Sequence, residues 1–350
     1  MGFCVSHERA NATLRLHSAL NAEQEPAVVF DGETYADILK YYKLGRVIGH
    51  CSLGSIRIAT CLRTLDAGTQ VAVRSVSKSV VETNLQVLRQ ELALFRLLDH
   101  PNILRFYEIF EDDRFIHLVT EHCSGGSISE RIASRGLFCE SKVRDLFEKL
   151  IRAMLHMHKL GFCHRDLRPQ NILYETSESV EVKIADFCDM TFIKMASSAP
   201  SFSSCPNFMA PEIFEGKVGK ECDIWSLGAI LFYLLSGEIP FDDDEPSAQF
   251  YRIVGAEFTF HNPNWNSVSS AAKDLINQMI VVMPSERLSL EDVLRHSWMT
   301  TRETDLRSTT IMIESLQHLK SGNKLQRELM RTVVKYLSPR TVKTLTVRTT

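Results

Sequence analysis

The 350-residue sequence has no run of about 18 apolar residues, the length a helix needs to cross a bilayer. Its nine cysteines show no paired C-x-x-C spacing. They read as reduced thiols of a cytosolic protein, not as a disulfide framework. Neither sign of charge is in marked excess, and a net value of −3 gives no reason to expect nucleic acid. There is no internal repeat, no low-complexity tract and no D-x-[DN]-x-[DN]-G pattern, so these residues hold no EF-hand calcium loop. The acidic run Asp242-Asp243-Asp244-Glu245 lacks the alternating ligands and central glycine of such a loop and reads as solvated. What is present, 44% hydrophobic and 24% charged residues, describes a folded soluble chain long enough for two packed lobes.

The stretch His164-Arg165-Asp166-Leu167-Arg168-Pro169-Gln170-Asn171 puts a carboxylate five residues ahead of a carboxamide on a turn-prone segment. Fifteen residues after Asn171 comes a second carboxylate, Asp186. One acid to face an attacking hydroxyl, with an amide and another acid to hold magnesium, is the equipment of phosphoryl transfer. Upstream, residues 44–61 read as strand, glycine turn, strand, and Gly49 and Gly54 let backbone amides approach phosphate oxygens without interference from a Cβ. Val71-Ala72-Val73-Arg74 is a short apolar strand. Residues 83–98 are strongly helical by apolar spacing and carry Glu91. A short helix is expected near Tyr35 to Tyr41.

Together these parts resemble a eukaryotic protein kinase over about residues 42–298. The resemblance implies an α+β fold of two lobes, a β-rich one over 42–121 and a larger helical one over 122–298. It also implies ATP and Mg²⁺ as cofactors and a protein with Ser or Thr as substrate. By the same likeness Ile48, Gly49, Gly54, Ile56, Ala72, Arg74, Thr120, Glu121, Cys123, Leu173 and Asp186 would line the nucleotide, and Glu91 would position Arg74. Thr120 takes the gatekeeper place, and the backbone of Glu121 and Cys123 would meet the adenine edge. Asp166 would orient the hydroxyl, Arg168 would stand by the γ-phosphate, and Asn171 and Asp186 would hold the metal. Glu212 and Arg287 would form a buried pair. Trp265, Ala272-Lys273-Asp274-Leu275-Ile276 and Arg295-His296-Ser297-Trp298 look like the calmodulin-dependent and calcium-dependent protein kinases.

Six positions depart from the kinase pattern: Cys51, Arg74, Ser127, Arg168, Cys188 and Cys205. Arg74 keeps the charge of the expected lysine on a bulkier planar fork, an exchange that costs roughly 2–4 kcal/mol, or about 10²–10³ in rate, if the phosphates are missed. Cys188 adds a Cβ where the family has glycine, at about 1–2 kcal/mol if the backbone there is left-handed. Ser127 and Gln170 are neutral where an acid is usual, which weakens the case for arginine-rich substrates. The reading is therefore a serine/threonine kinase, with a pseudokinase that scaffolds or regulates a partner as the alternative.

Both ends carry signals of their own. Met1-Gly2-Phe3-Cys4-Val5-Ser6 fits N-myristoylation at Gly2, with Cys4 placed for a second acyl chain. Two chains give stable anchoring, so residues 1–41 read as an acylated leader and the protein as cytoplasmic and membrane-associated. Residues 301–350 hold ten Lys or Arg against four Asp or Glu, with Leu316, Leu319, Leu325, Leu329, Val333 and Leu337 at helical spacing. Residues 299–350 thus resemble the autoinhibitory junction of calcium-dependent kinases, with residues 311–338 a target for a calmodulin-like or EF-hand partner. The plain alternative is an amphipathic helix docked on the large lobe. In that family four calcium loops follow the junction; here they would lie on a continuation, on another protein, or be absent.

Overall fold

The computed structural model describes residues 35–51, 54–64, 66–81, 95, 97–185, 206–216 and 219–300. Gly2, Cys4, Glu91, Asp186, Cys188, Cys205 and the tail over 311–338 lie outside them. Helix α1 (Tyr35–Tyr41) leads into an antiparallel five-stranded sheet of β1 (Tyr42–Cys51), β2 (Gly54–Cys61), β3 (Gln70–Ser77), β4 (Phe106–Glu111) and β5 (Phe115–Glu121), in the order β1-β2-β3-β5-β4. The helix at Tyr35–Tyr41 is the one expected from the sequence. Valines give β3 its strand character, because branched side chains pack well on a pleated surface. Alternation then sends residues to opposite faces. Val71, Val73 and Val119 pack with Tyr42, Phe110 and Ile38 of α1 in a small outer core, while Val76, Ile116 and Leu118 join the main core on the other side. Each fully buried Val or Ile contributes about 1.5–3 kcal/mol.

On the outer face Ser75 lies directly opposite His117, and the two side chains bond at 2.8 Å while His117 Nε2 meets Asp112 Oδ2 at 3.1 Å. This has the order of a catalytic relay, but the imidazole is buried against a strand-to-strand contact. Its role is to satisfy polar groups inside the lobe.

The large lobe is built on α2 (Ile128–Arg135), α3 (Glu140–Lys159), α4 (Glu221–Ser236), α5 (Pro246–Val254), α6 (Ser270–Met279) and α7 (Leu290–Arg295), with a hairpin of β6 (Ile172–Tyr174) and β7 (Val182–Ile184). Helix α4 is largely apolar beyond its first turn and almost wholly buried, as a central helix must be. At Gly228 a Cβ would come within 2.8 Å of Ile280 and 2.9 Å of Met279, so glycine is what lets α4 and the end of α6 approach. Phe232, Phe260 and Trp265 stack around them, with ring centroids 4.7 Å apart for both pairs made by Trp265. Beyond α7, Trp298 packs edge-on against Phe147 and donates its indole N–H to Glu140 Oε1 at 2.7 Å. Among the described residues no helix is long and apolar enough to cross a membrane.

The expected pair of Glu212 and Arg287 is present as a fork on a fork. Arg287 donates to both carboxylate oxygens at 2.6 and 2.8 Å and also to the carbonyls of Glu221, Val281 and Val282. Removing one member leaves an uncompensated buried charge, which costs about 3–5 kcal/mol. Arg287→Ala is therefore expected to lower Tm by roughly 10 °C in a thermal melt, and a loss of only a degree or two would show the pair to be dispensable.

Candidate active site

Chain leaving α3 turns at Gly161, whose backbone is left-handed, and enters the loop that carries the expected site. His164 is fully buried. Its Nε2 donates to the carbonyl of Ala185 at 2.9 Å and its Nδ1 accepts the N–H of Asp166 at 3.3 Å, which assigns the neutral tautomer protonated on Nε2. Arg165 follows with φ of 69°, a conformation that costs a side-chain-bearing residue about 1–2 kcal/mol. Strain of this kind persists only where the surroundings hold it. Here the holder is Asp223, at the start of α4. Its two oxygens accept the amides of His164 and Arg165, both at 2.9 Å, and Nε2 of His158 at 2.8 Å.

Pro169–Asn171 then forms a tight turn. The side-chain Nδ2 of Asn171 donates to the backbone carbonyl of Asp166 at 2.8 Å and to its Oδ2 at 3.2 Å. Arg168 Nε lies 3.5 Å from the same Oδ2. Asp166, Arg168 and Asn171 are thus brought together, with Asp166 only 7% exposed. Asp186 is outside the described residues, but its neighbour Ala185 is fixed: the Ala185 N–H donates to the carbonyl of Asn171 at 2.8 Å. Strand β7, which leads there, is held by Ile184 bonding to Asn102 and Leu104 at 2.9 and 2.8 Å.

The small lobe supplies the opposite wall. Gly49 pairs with Ile56 across the hairpin, and Ile48 is partly exposed beside it. A Cβ at Gly49 would make only ordinary contact with Ile56, whereas one at Gly54 would lie 1.9 Å from the carbonyl oxygen of Ser75. Strand pairing alone therefore demands glycine at position 54, whatever its relation to a phosphate. Arg74 is buried between Ile56 and Leu118 in register, and Ala72 sits between Ile58 and Thr120. The Thr120 hydroxyl donates to the carbonyl of Glu121 at 3.2 Å, and the N–H of Glu121 is committed to the Arg105 carbonyl at 2.9 Å.

The Glu121 side chain accepts the Arg105 N–H at 2.6 Å and meets Lys183 Nζ at 3.1 Å. Burial works against the Lys183 ammonium, but the carboxylates of Glu121 and Glu175 more than offset it and leave its pKa raised. Burial, with the charge of Glu121 adding to it, pushes the Cys123 thiol up to about 12. Leu173 faces Lys183 in the β6–β7 pair and bridges to Ser127.

Two residues carry more than sequence reasoning gave them. Ser127, read as a missing acid, caps α2: its Oγ accepts the Glu130 N–H at 3.2 Å, and Glu130 Oε2 accepts the Ser127 N–H at 2.7 Å. The S-x-x-E spacing that signals this box was visible at 127–130. Asp223 was read only as part of an apolar helix start, because its partners lie about 60 residues away in sequence.

Burial alone would raise the pKa of Asp223, but the hydrogen bond from His158, the field of that imidazole and the Arg165 amide outweigh it and leave it lowered. A lowered value in the folded state means that the contribution is present in full above the ordinary value of 3.8 and is lost as pH falls through the folded value. Asp223→Asn should cost about 2–3 kcal/mol at neutral pH. Its Tm deficit should shrink below pH 3.8, and a deficit that stays constant through that window would refute the role of the charge.

Comparison with known proteins agrees with this geometry. The family profile of the protein kinase domain matches residues 42–299. Calcium-dependent protein kinase 7 of Oryza sativa subsp. japonica is 30% identical over 313 residues, covering 88% of this chain and 57% of the relative. Calcium-dependent protein kinase 4 of Plasmodium falciparum is 32% identical over 294 residues, covering 81% and 55%. A probable myosin light chain kinase of Dictyostelium discoideum is 31% identical over 283 residues, covering 79% and 71%. The crystal structure of Rad53 residues 1–466 in complex with AMP-PNP aligns with a TM-score of 0.64 at 28% identity, covering 75% of this chain and 66% of that one. The chain thus spans little more than half the length of the calcium-dependent kinases it matches. It belongs to the protein kinase domain family and is similar to the calcium-dependent protein kinases.

Proposed function

We propose that the chain is a serine/threonine protein kinase that uses Mg-ATP. The observation that carries this reading is the convergence of Asp166, Arg168 and Asn171 on one buried turn, fastened at one end by Asp223 and at the other by Ala185. A carboxylate so placed can orient a substrate hydroxyl and accept its proton as the oxygen attacks. Arg168 supplies positive charge next to that carboxylate. Asn171 commits its Nδ2 to Asp166, so its Oδ1 is the polar atom left for a cation, and a hard oxygen suits magnesium. Asp186, the residue after Ala185 with its fixed N–H and carbonyl, would be the second ligand. A magnesium ion held by these residues would neutralise phosphate charge. Arg74, with Glu91 as its partner, would stand in for the phosphate-binding lysine.

The rival reading is a catalytically silent scaffold. It draws on Arg74, which occupies a buried place in β3 where a longer planar head has little room to adapt, and on Cys188. Cys51, Ser127, Arg168 and Cys205, the other departures from the kinase pattern, add to it. We further propose that Gly2 and Cys4 carry acyl chains that hold the protein at a cytosolic membrane face. In the same reading residues 1–41 form a leader to the kinase domain, and residues 311–338 receive a calmodulin-like or EF-hand partner.

Single-turnover phosphorylation with Mg-ATP tests the catalytic reading, with Asp166→Ala as the blank. The wild type should exceed the blank by about 10²–10⁴, and Arg74→Lys should raise the rate by up to about 10²–10³. A wild-type rate equal to the blank, restored by Arg74→Lys together with Cys188→Gly, would instead establish the scaffold.

A further inference from the structure

Cys163 and Cys222 flank the joint that holds the catalytic loop. Cys163 immediately precedes His164, and Cys222 immediately precedes Asp223, so the two thiols sit beside the hydrogen bonds that join those residues. Their Sγ atoms are 3.6 Å apart although 59 residues separate them in sequence. Cys163 is half-buried and also faces the carbonyl of Gly219 at 3.3 Å, whereas Cys222 is fully buried in the first turn of α4. Among the described free cysteines, Cys61, Cys123 and Cys139 have no such partner thiol within bonding reach.

We propose that Cys163 and Cys222 are a redox site, closing under oxidation into a reversible disulfide that staples the catalytic loop to the first turn of α4. The thiols need to close from 3.6 Å to about 2.05 Å, a distance that side-chain rotation and a small shift of the loop can supply. Cys163, the thiol open to solvent, is the one a hydroperoxide reaches. Its sulfur attacks the O–O bond, which breaks, leaving a sulfenic acid at Cys163 and releasing water from peroxide. The sulfur of Cys222 then displaces hydroxide from that sulfenic sulfur. The Cys222 thiol proton leaves with the hydroxide as a second water, and the S–S bond forms. Two thiols lose one electron each and the peroxide is reduced by two. The hydrogen bond with Cys163, burial and the Asp223 carboxylate push the pKa of Cys222 well up, consistent with its acting second.

A cation is the other occupant this trio of Cys163, Cys222 and Asp223 could suggest, since their ligand atoms lie within 4.8 Å of one another. Both oxygens of Asp223, however, already accept backbone amides of the loop, so a metal there would compete with the joint that positions the site. A disulfide leaves those bonds in place. In a reducing cytosol such a bond is transient, which suits a sensor and not a framework.

The test uses the full chain, reduced and then exposed to hydrogen peroxide, alkylated, digested without reductant and mapped by mass spectrometry. The expected product is a Cys163–Cys222 cross-linked peptide pair that dithiothreitol dissolves, with a Tm a few degrees above that of the reduced protein and a return to the reduced value after dithiothreitol. Cys163→Ser, at the half-buried position, should fold normally and lose both the cross-link and the Tm rise. Cys222→Ser is in the core, so the wild-type map carries the result should that variant fail to fold. Three results would overturn the proposal: Cys163 oxidised alone while Cys222 stays open to alkylation after denaturation, a cross-link with no rise in Tm, or stoichiometric protection of both reduced thiols by zinc chloride. None of these readouts needs kinase activity, so failure here and failure of the proposed catalytic function are separable.

Discussion

The carboxylate of Asp223, out of reach of water at the head of the central helix, accepts two consecutive backbone amides and an imidazole, and the rest of the cleft depends on that arrangement. A buried charge is tolerable only when its lone pairs are used, and the partners used here are the stretch of backbone that must be held in an unfavourable conformation. The strain at Arg165 and the desolvation of Asp223 are thereby offset by the same hydrogen bonds. Asp166 is the next residue along, so its position is inherited from the large lobe's core and not from the loop's own preferences.

The second constraint runs through β7. Ile184 is bonded on both sides to the chain that comes down from the small lobe, and Ala185 is bonded to the Asn171 turn. The segment leading to Asp186 is therefore tied to the 164–171 loop and to the connection between the sheet and the helices at once. The small lobe contributes its wall by register: Arg74, Ala72 and Thr120 face inward because each is two residues from the next inward position along its strand or directly across from one.

Much of this was legible from residue order. The hairpin around Gly49 and Gly54, the helix at Tyr35–Tyr41, the 164–171 loop and the pairing of Glu212 with Arg287 all follow from local spacing or from a recognisable family pattern. The kinase family itself is borne out by the match over residues 42–299. What escaped the sequence was whatever depends on approach in space. Asp223 gives no sign of its role until the loop lies against it. Lys183 looks like an ordinary strand residue until Glu121 and Glu175 close on it. Gly54 invited a phosphate explanation, although the backbone of Ser75 already excludes any side chain there. Ser127 is a different kind of miss, since its capping signature was present and only the comparison with an expected acid obscured it.

The serine cap on α2 has an implication for anyone redesigning this cleft. Position 127, where the resemblance implies an acid, instead carries the cap that starts α2. An acid at 127 would still offer an oxygen to the Glu130 N–H, but it would set a second carboxylate against the Glu130 side chain that now closes the cap. The charge at this corner is thus coupled to the start of α2, and positions 127 and 130 would have to be retuned as a unit.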